Sequence, residues 1–539
     1  MTSVQDPLAA GLDRLLERAD ALAARLGPRA RASTTVGIER ATLRLLGVHG
    51  LDRSGAPLAA VIVDRAVAQD PARLARGVLL PFAAALLVYG STPQDLALDV
   101  ASGVVDLDLE AEALLDPERL GAARSRADRL LAAAIERIDA NRTARHELVD
   151  LLGDAERPWV GASLRATLLD AARDEAAVLV SGGADVVRVR VPASRELAER
   201  LHDLGEELDD EDRAGGPIAD RVAGEVPPAG SQRALSVLRS VVDEAAAERR
   251  AYARLATTTR ALAAPEQAVV AAFERIDIIE ADPLTEIFDG GVDPERALAD
   301  HSFARRVARR AGARILLGAG PLIVAPDLAS GRPAAPEVRA GRAIALQALG
   351  VALARGDGLV DGDLLLGTLP WWLLDERDAA TLAVTYVVLQ RRLHPGVDLA
   401  LDEPPRTTTA GSRWRQLLVP TALVGRTPGL LMRDADSESI AAAADGSRTA
   451  SEIAHELAGS LEPLALAASG RDLATRIVDA AGATLADIDS RGWEAVAGAS
   501  IGIDSRVTHL ATGTLAPHGD GPDVAAVFAC AKGGVADRP

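Results

Sequence analysis

From about residue 157 the chain alternates short aliphatic or β-branched runs with helix-length segments, and no other feature limits its possible folds so strongly. The runs are PWVGASL (158–164), DVVRVRV (185–191), RIDII (275–279), ARILLG (313–318), DLLLGTL (363–369), VDLALD (397–402) and GLLMR (429–433). Between them lie segments such as ATLLDAARDEAAVLV, SQRALSVLRSVVDEAAAER, DPERALADHSFARRVARR and AAPEVRAGRAIALQALGVALA. Strands that are apolar on both faces and separated by helices read as parallel βα units, because both faces of such a sheet are covered. Seven or eight units in series predict an α/β fold, a closed (β/α)8 barrel of the TIM type, over residues 151–440.

The flanks follow different patterns. Residues 1–150 read as a helical accessory region. Leu8, Leu12, Leu15, Leu16, Leu22 and Leu26 give an amphipathic opening helix expected to stop at Gly27-Pro28. A second helix is expected from Ser33, and STPQDL (91–96) starts another, with Ser91 or Thr92 as cap and Pro93 in the first turn. Residues 441–539 read as a helical, then Gly-rich, extension. The acidic, Gly/Pro-rich stretch 203–230 is either a solvated loop or a cation site.

Charge and lysine usage narrow the function. With 59 Lys+Arg against 78 Asp+Glu, the net charge of −19 repels nucleic acid and anionic membrane surfaces. The longest apolar run, GVLLPFAAALLVYG (77–90), is broken by Pro81 and falls short of the roughly 20 residues a membrane span needs. The N-terminus lacks the pattern of a secretory leader, so a cytoplasmic location is expected. Cys530 is the only cysteine, which leaves neither an intrachain disulfide nor a cysteine zinc site, and the eight histidines never fall at metal-helix spacing. No metal site is expected. The only lysine is Lys532, followed by Gly533, so a Walker-type phosphate loop is excluded. Any pyridoxal Schiff base would need a lysine from that tail or from a second chain.

The segment STTVGIERATLRLLGVHGLD (33–52), followed in register by VIVD (61–64), GSTPQDLALDVASGVVDLD (90–108) and ANRT (140–143), resembles the α subunit of lysine 5,6-aminomutase. GGADVVRVRV and AAPEQAVVAAFERIDII continue the resemblance in the same order. It implies a barrel working with a smaller β subunit, which binds adenosylcobalamin through a histidine and supplies the lysine that holds pyridoxal phosphate. It also implies a radical shift of an amino group between adjacent carbons of a small amino acid. The chain itself has no cobalamin motif: the nearest spacing pairs His202 with Gly205, after Arg200.

Several positions depart from the family where its cofactor is held. The phosphate-gripping arginine, small polar residues and serine fall at Val191, Pro192, Ala193 and Glu196. Arg190 and Ser194 either take over that grip or are a solvent-facing arginine and a helix cap. The resemblance places a further strand at RLATTT (254–259), where a family asparagine and serine fall at Thr257 and Arg260. A family tyrosine falls at Thr285, an acidic residue near Pro321, and a lysine near Arg406 and Thr407. A strand end with His and Glu becomes GTLPWWLL, containing Trp371 and Trp372.

Candidate cofactor-contacting residues are therefore Arg190, Ser194, Arg260 and Arg406, and no catalytic residue is assigned. GASIG (498–502) fits a nucleophile-elbow spacing around Ser500 but lies in a Gly-rich tail without the strand-to-helix context. Asp434, Asp436 and Glu438 fit helix-start charges as well as a metal site. Three readings stay open: an α-like aminomutase subunit, a catalytically degenerate scaffold that binds a partner without pyridoxal phosphate, and a barrel gripping another anion through Arg190, Arg260 or Arg406.

Overall fold

The computed structural model describes residues 7–50, 57–69, 71–164, 166, 169–189, 228–258, 264–289, 292–318, 334–368, 379–402, 429–433, 468–497, 515–517, 524 and 528. Eight parallel strands close into a barrel: β2 (Trp159–Ser163), β3 (Val186–Val189), β4 (Arg254–Thr258), β5 (Ile278–Glu280), β6 (Arg314–Leu317), β7 (Leu364–Gly367), β8 (Asp398–Asp402) and β9 (Leu430–Arg433). Hydrogen bonding between β2 and β9 completes the ring. The expected barrel is what the chain forms. Its β5 begins three residues later than RIDII suggests, because Arg275 takes a positive φ of 55° and Asp277 is used in a buried ion-pair cluster.

Helices α8 (Leu169–Ser181), α9 (Pro228–Arg249), α10 (Ala264–Phe273), α11 (Pro283–Asp289), α12 (Pro294–Ala311), α13 (Pro336–Gly356) and α14 (Ala379–Leu393) follow the strands in turn. Val187, Leu255, Ile279, Ile315, Leu317, Leu364, Leu366 and Leu399 face these helices and form one apolar cluster with them. Each fully buried aliphatic side chain of that size contributes about 1.5–3 kcal/mol.

Before the barrel come α1 (Pro7–Arg31), the short strand β1 (Ser33–Thr35), α2 (Val36–Leu45), α3 (Leu58–Gln69), α4 (Leu79–Tyr89), α5 (Pro93–Ala101), α6 (Leu107–Ala113) and α7 (Pro117–Leu152). Two expectations shift. Helix α1 runs through Gly27-Pro28 to Arg31, since a proline in the last turn forfeits one backbone bond while Ala30 stays packed. Ser33 starts a strand rather than a helix: Ser33–Thr35 pairs antiparallel with β10 (Leu515–Pro517), and Thr35 caps α2 by accepting from Ile38 N at 3.0 Å. Thr92 caps α5 as expected, with Pro93 in its first turn.

Helix α1 packs with α13, α14 and α15 (Ala468–Arg491) in one cluster, whereas α2 to α7 form another with α10, α12, Val524 and Phe528. The C-terminal segment thus joins the cluster of the N-terminal helices, and Phe528 meets Phe303 of α12 edge-on at 6.0 Å. No helix among the described residues is long and apolar enough to cross a membrane.

Charged side chains lock α7 to the barrel's lower rim. Arg145 on α7 pairs with Asp277 at 2.9 Å and donates to the carbonyls of Ile276 and Ala311 at 2.7 and 2.6 Å. Arg239 pairs with the other Asp277 oxygen at 3.0 Å, and Tyr252 donates its hydroxyl hydrogen to Asp277 at 2.7 Å. Burial alone would raise the Asp277 pKa, but Arg145 and Arg239 more than offset it and hold the carboxyl below its usual range.

Candidate functional site

Side chains alternate between the two faces of a strand, so the eight registers sort the lumen-facing residues into layers, each drawn from alternate strands. The lowest holds Trp159, Arg254, Arg314 and Asp398. Arg254 stacks on the Trp159 ring at 3.6 Å, Arg314 lies 5.6 Å from it, and Asp398 pairs with Arg314 at 2.8 Å and Arg157 at 2.5 Å. Above come Val186, Ile278, Leu365 and Leu430, then Gly161, Ala256, Leu316 and Ala400, all apolar. A methyl group on Gly161 would lie 2.3 Å from Met432 Sδ, so the methionine fills the space that glycine leaves. The lower lumen is therefore packed shut.

One layer higher the chemistry changes. Arg188, Glu280, Gly367 and Met432 occupy this level on β3, β5, β7 and β9. This is the C-terminal end of the strands, where barrel enzymes place their active sites. Arg188 Nε donates to the hydroxyl of Ser163, a buried residue at the end of β2, at 2.9 Å. Arg188 and Glu280 are both half-buried. They stand two strands apart, so their Cα atoms are separated by about 10 Å and their side chains converge on the axis. Gly367 lies across the layer from Arg188, and Gly318 follows Leu317 one step higher on the adjacent strand, so this wall contributes no side chains at either position.

The glycine wall is braced from outside. Gln347 on α13 donates from Nε2 to the carbonyls of Gly318 at 3.2 Å and Gly367 at 2.6 Å. Its Oε1 accepts from Tyr386 at 3.0 Å and Gln390 at 2.7 Å, and Gln390 donates again to Gly367 O at 3.0 Å. All three side chains are buried, and burial pushes the Tyr386 pKa up. Removing one partner of a buried polar network costs about 1–3 kcal/mol per stranded group. On the other side, Glu175 accepts from Ala166 N at 2.9 Å, and Asp282 accepts from Leu284 N at 3.0 Å to start α11 just past Glu280.

Arg190, Ser194, Arg260 and Arg406 lie outside the described residues. So do Val191, Glu196, Pro321, Trp371, Trp372, Asp434, Asp436, Glu438, Ser500 and Lys532, and most of the 203–230 stretch. Thr257 is buried and shares the outward phase of Val189 and Ile279, against the helices rather than the lumen. Thr285 falls in α11. The residues that the strands do bring together, Arg188, Ser163 and Glu280, were not singled out from sequence. Their signal is a charged or polar residue two positions after a lumen-facing one, in Val186-x-Arg188, Ile278-x-Glu280 and Gly161-x-Ser163.

These lumen positions hold one cation at the mouth and no lysine. They do not fit a pyridoxal phosphate anchored covalently by the described residues of the barrel, because no amine is there to form the imine.

Fold and mouth together define a (β/α)8 barrel with a shut base and a charged C-terminal end. Comparison places it more closely: residues 10–367 match the D-lysine 5,6-aminomutase TIM-barrel domain of alpha subunit, and the chain belongs to that family. The matched stretch includes Ser163, Arg188, Glu280 and Gly367. The lysine 5,6-aminomutase alpha subunit of Acetoanaerobium sticklandii is 26% identical over 294 residues, 54% of this chain and 52% of that protein. Its counterpart from Fusobacterium nucleatum is 28% identical over 304 residues, 55% of this chain and 53% of that protein. The chain thus spans about half the length of the curated relatives it matches. Among solved structures, dihydropteroate synthase from Anaplasma phagocytophilum aligns with a TM-score of 0.32 at 12% identity, over 55% of this chain and 98% of that one.

Proposed function

We propose that this chain is the α-like, substrate-binding half of an aminomutase of the lysine 5,6-aminomutase type. Its barrel mouth holds a small amino acid, and a separate β-like subunit brings adenosylcobalamin and the lysine-held pyridoxal phosphate. The observation that carries this reading is the family match over a barrel whose lumen turns from apolar to charged at its C-terminal end. Lysine usage supports the division of labour, since the chain's one lysine is Lys532. The bound cofactors would supply the radical and the imine, while this chain's residues orient the amino acid and the closed lower lumen excludes water from beneath it.

A second reading, a scaffold that binds the partner without pyridoxal phosphate, draws on Val191 and Glu196 at positions where the family grips phosphate. A third keeps Arg190, Arg260 or Arg406 as contacts for a different anion. One experiment separates them: co-purify the chain with a β-like partner, record the absorbance, and assay amino-group migration by NMR of the product. Imine absorbance with migration supports the first reading. A stable complex without either sinks it in favour of the scaffold, and anion binding without a complex favours the third.

A further inference from the structure

We propose that Arg188 and Glu280 form a head-group subsite for an α-amino acid, Arg188 taking the carboxylate and Glu280 the ammonium. The choice of an amino acid rests on the function proposed above; the two-charge geometry comes from the barrel itself. Both residues sit in one layer on alternate strands and reach toward a shared axis. An α-amino acid carries its two opposite charges on one carbon, so a cation and a carboxylate converging from neighbouring corners of a layer meet both at once.

The arginine is suited to its part. Its Nε bond to the buried Ser163 hydroxyl sets the plane of the guanidinium, and a planar fork held in place recognises a carboxylate with two parallel bonds. Beneath lies an apolar floor made by Gly161, Ala256, Leu316 and Ala400, with Met432 beside the charged pair, where ionic contacts are screened less than in water. The rest of the ligand runs upward along the wall of Gly367 and Gly318, whose carbonyls Gln347 fixes from outside. The head group therefore sits at the bottom and the distal end of the amino acid points out of the mouth, toward the side from which a partner's cofactor must approach.

The test uses the full chain and calorimetric binding of L-lysine, cadaverine, which lacks the carboxylate, and 6-aminohexanoate, which lacks the α-amine. L-Ornithine and L-alanine extend the panel. The subsite predicts that an amino acid binds and that each one-charge analogue binds at least tenfold more weakly. Arg188→Gln should weaken the amino acid at least tenfold and leave cadaverine nearly unchanged; Glu280→Gln should do the same while sparing 6-aminohexanoate. Gly367→Val, which fills the open wall without removing a charge, should also block binding, and urea midpoints identify any variant that fails to fold. Analogues binding as tightly as the amino acid, affinity indifferent to both charge substitutions, or no amino acid binding with or without a partner would overturn the subsite. An amino acid that binds to a chain unable to capture a β-like subunit keeps the subsite and sinks the proposed function. A complex with imine absorbance whose amino acid dependence survives both substitutions does the reverse.

Discussion

The two ends of this barrel use the same residue types to opposite effect. At the base, Arg254 and Arg314 meet Trp159 and Asp398, while Arg145 and Arg239 close on Asp277 beside them. The charges there pair with groups on other strands and helices and tie those elements together. At the mouth, Arg188 and Glu280 stand on the lumen wall above an apolar floor, facing a glycine and a methionine. A cation and a carboxylate at the base fasten elements together; the same pair at the mouth converges on the space a ligand would use. Position along the strand, not residue type, separates structural from functional charge, as expected of a barrel whose lower face is devoted to stability.

Substitutions at the base should break stability first. Asp277→Asn removes the buried negative charge shared by Arg145 and Arg239 and should cost about 3–5 kcal/mol, read as a lowered urea midpoint. Trp159→Ala, which removes the buried ring on which Arg254 stacks, should cost a similar amount, about 3–5 kcal/mol. Acid should weaken the helical shell in a defined window. His301 and His394 are buried without hydrogen-bond partners on either ring nitrogen, and burial pushes their pKa values down to about 3 and about 4. Unfolded histidine takes up a proton near pH 6.5, so the stability tied to the neutral rings is complete above that pH and is lost as the pH falls toward 4. Each should contribute a loss on the order of 3 kcal/mol at pH 4. His301→Phe should flatten the decline in urea midpoint between pH 6.5 and pH 4; an unchanged slope would contradict the assignment.

The middle of the barrel should respond less. Gly161→Ala presses a methyl group on Met432 and should cost about 1–3 kcal/mol, eased by the flexible thioether. At the mouth, Ser163→Ala should leave the urea midpoint within about 1 kcal/mol of the parent, because it removes one partly buried hydrogen bond.

Much of the architecture was legible from the alternation of aliphatic runs and helices, since strands covered on both sides must be apolar throughout. That same property hid the site. A strand such as VVRV gives no sign of which face meets the lumen until its neighbours' registers are known, so Arg188 was not singled out. Glu280 was harder, because RIDII drew attention to residues 275–279 and away from the strand's true end at Glu280. RLATT, strand β4, carries a single large aliphatic residue, Leu255, and was found through resemblance rather than pattern. Family resemblance in turn pointed to Arg190, Ser194, Arg260 and Arg406, which follow the strand ends, whereas the described barrel places its charged layer on the strands themselves.

The contrast between base and mouth reduces to one paired measurement: the urea midpoint and the L-lysine-induced rise in melting temperature, taken for Glu280→Gln beside Asp277→Asn. The account predicts that Glu280→Gln keeps the midpoint and loses the ligand shift, while Asp277→Asn lowers the midpoint and, where folded, keeps the shift. Loss of stability from Glu280→Gln with the ligand shift intact would contradict it.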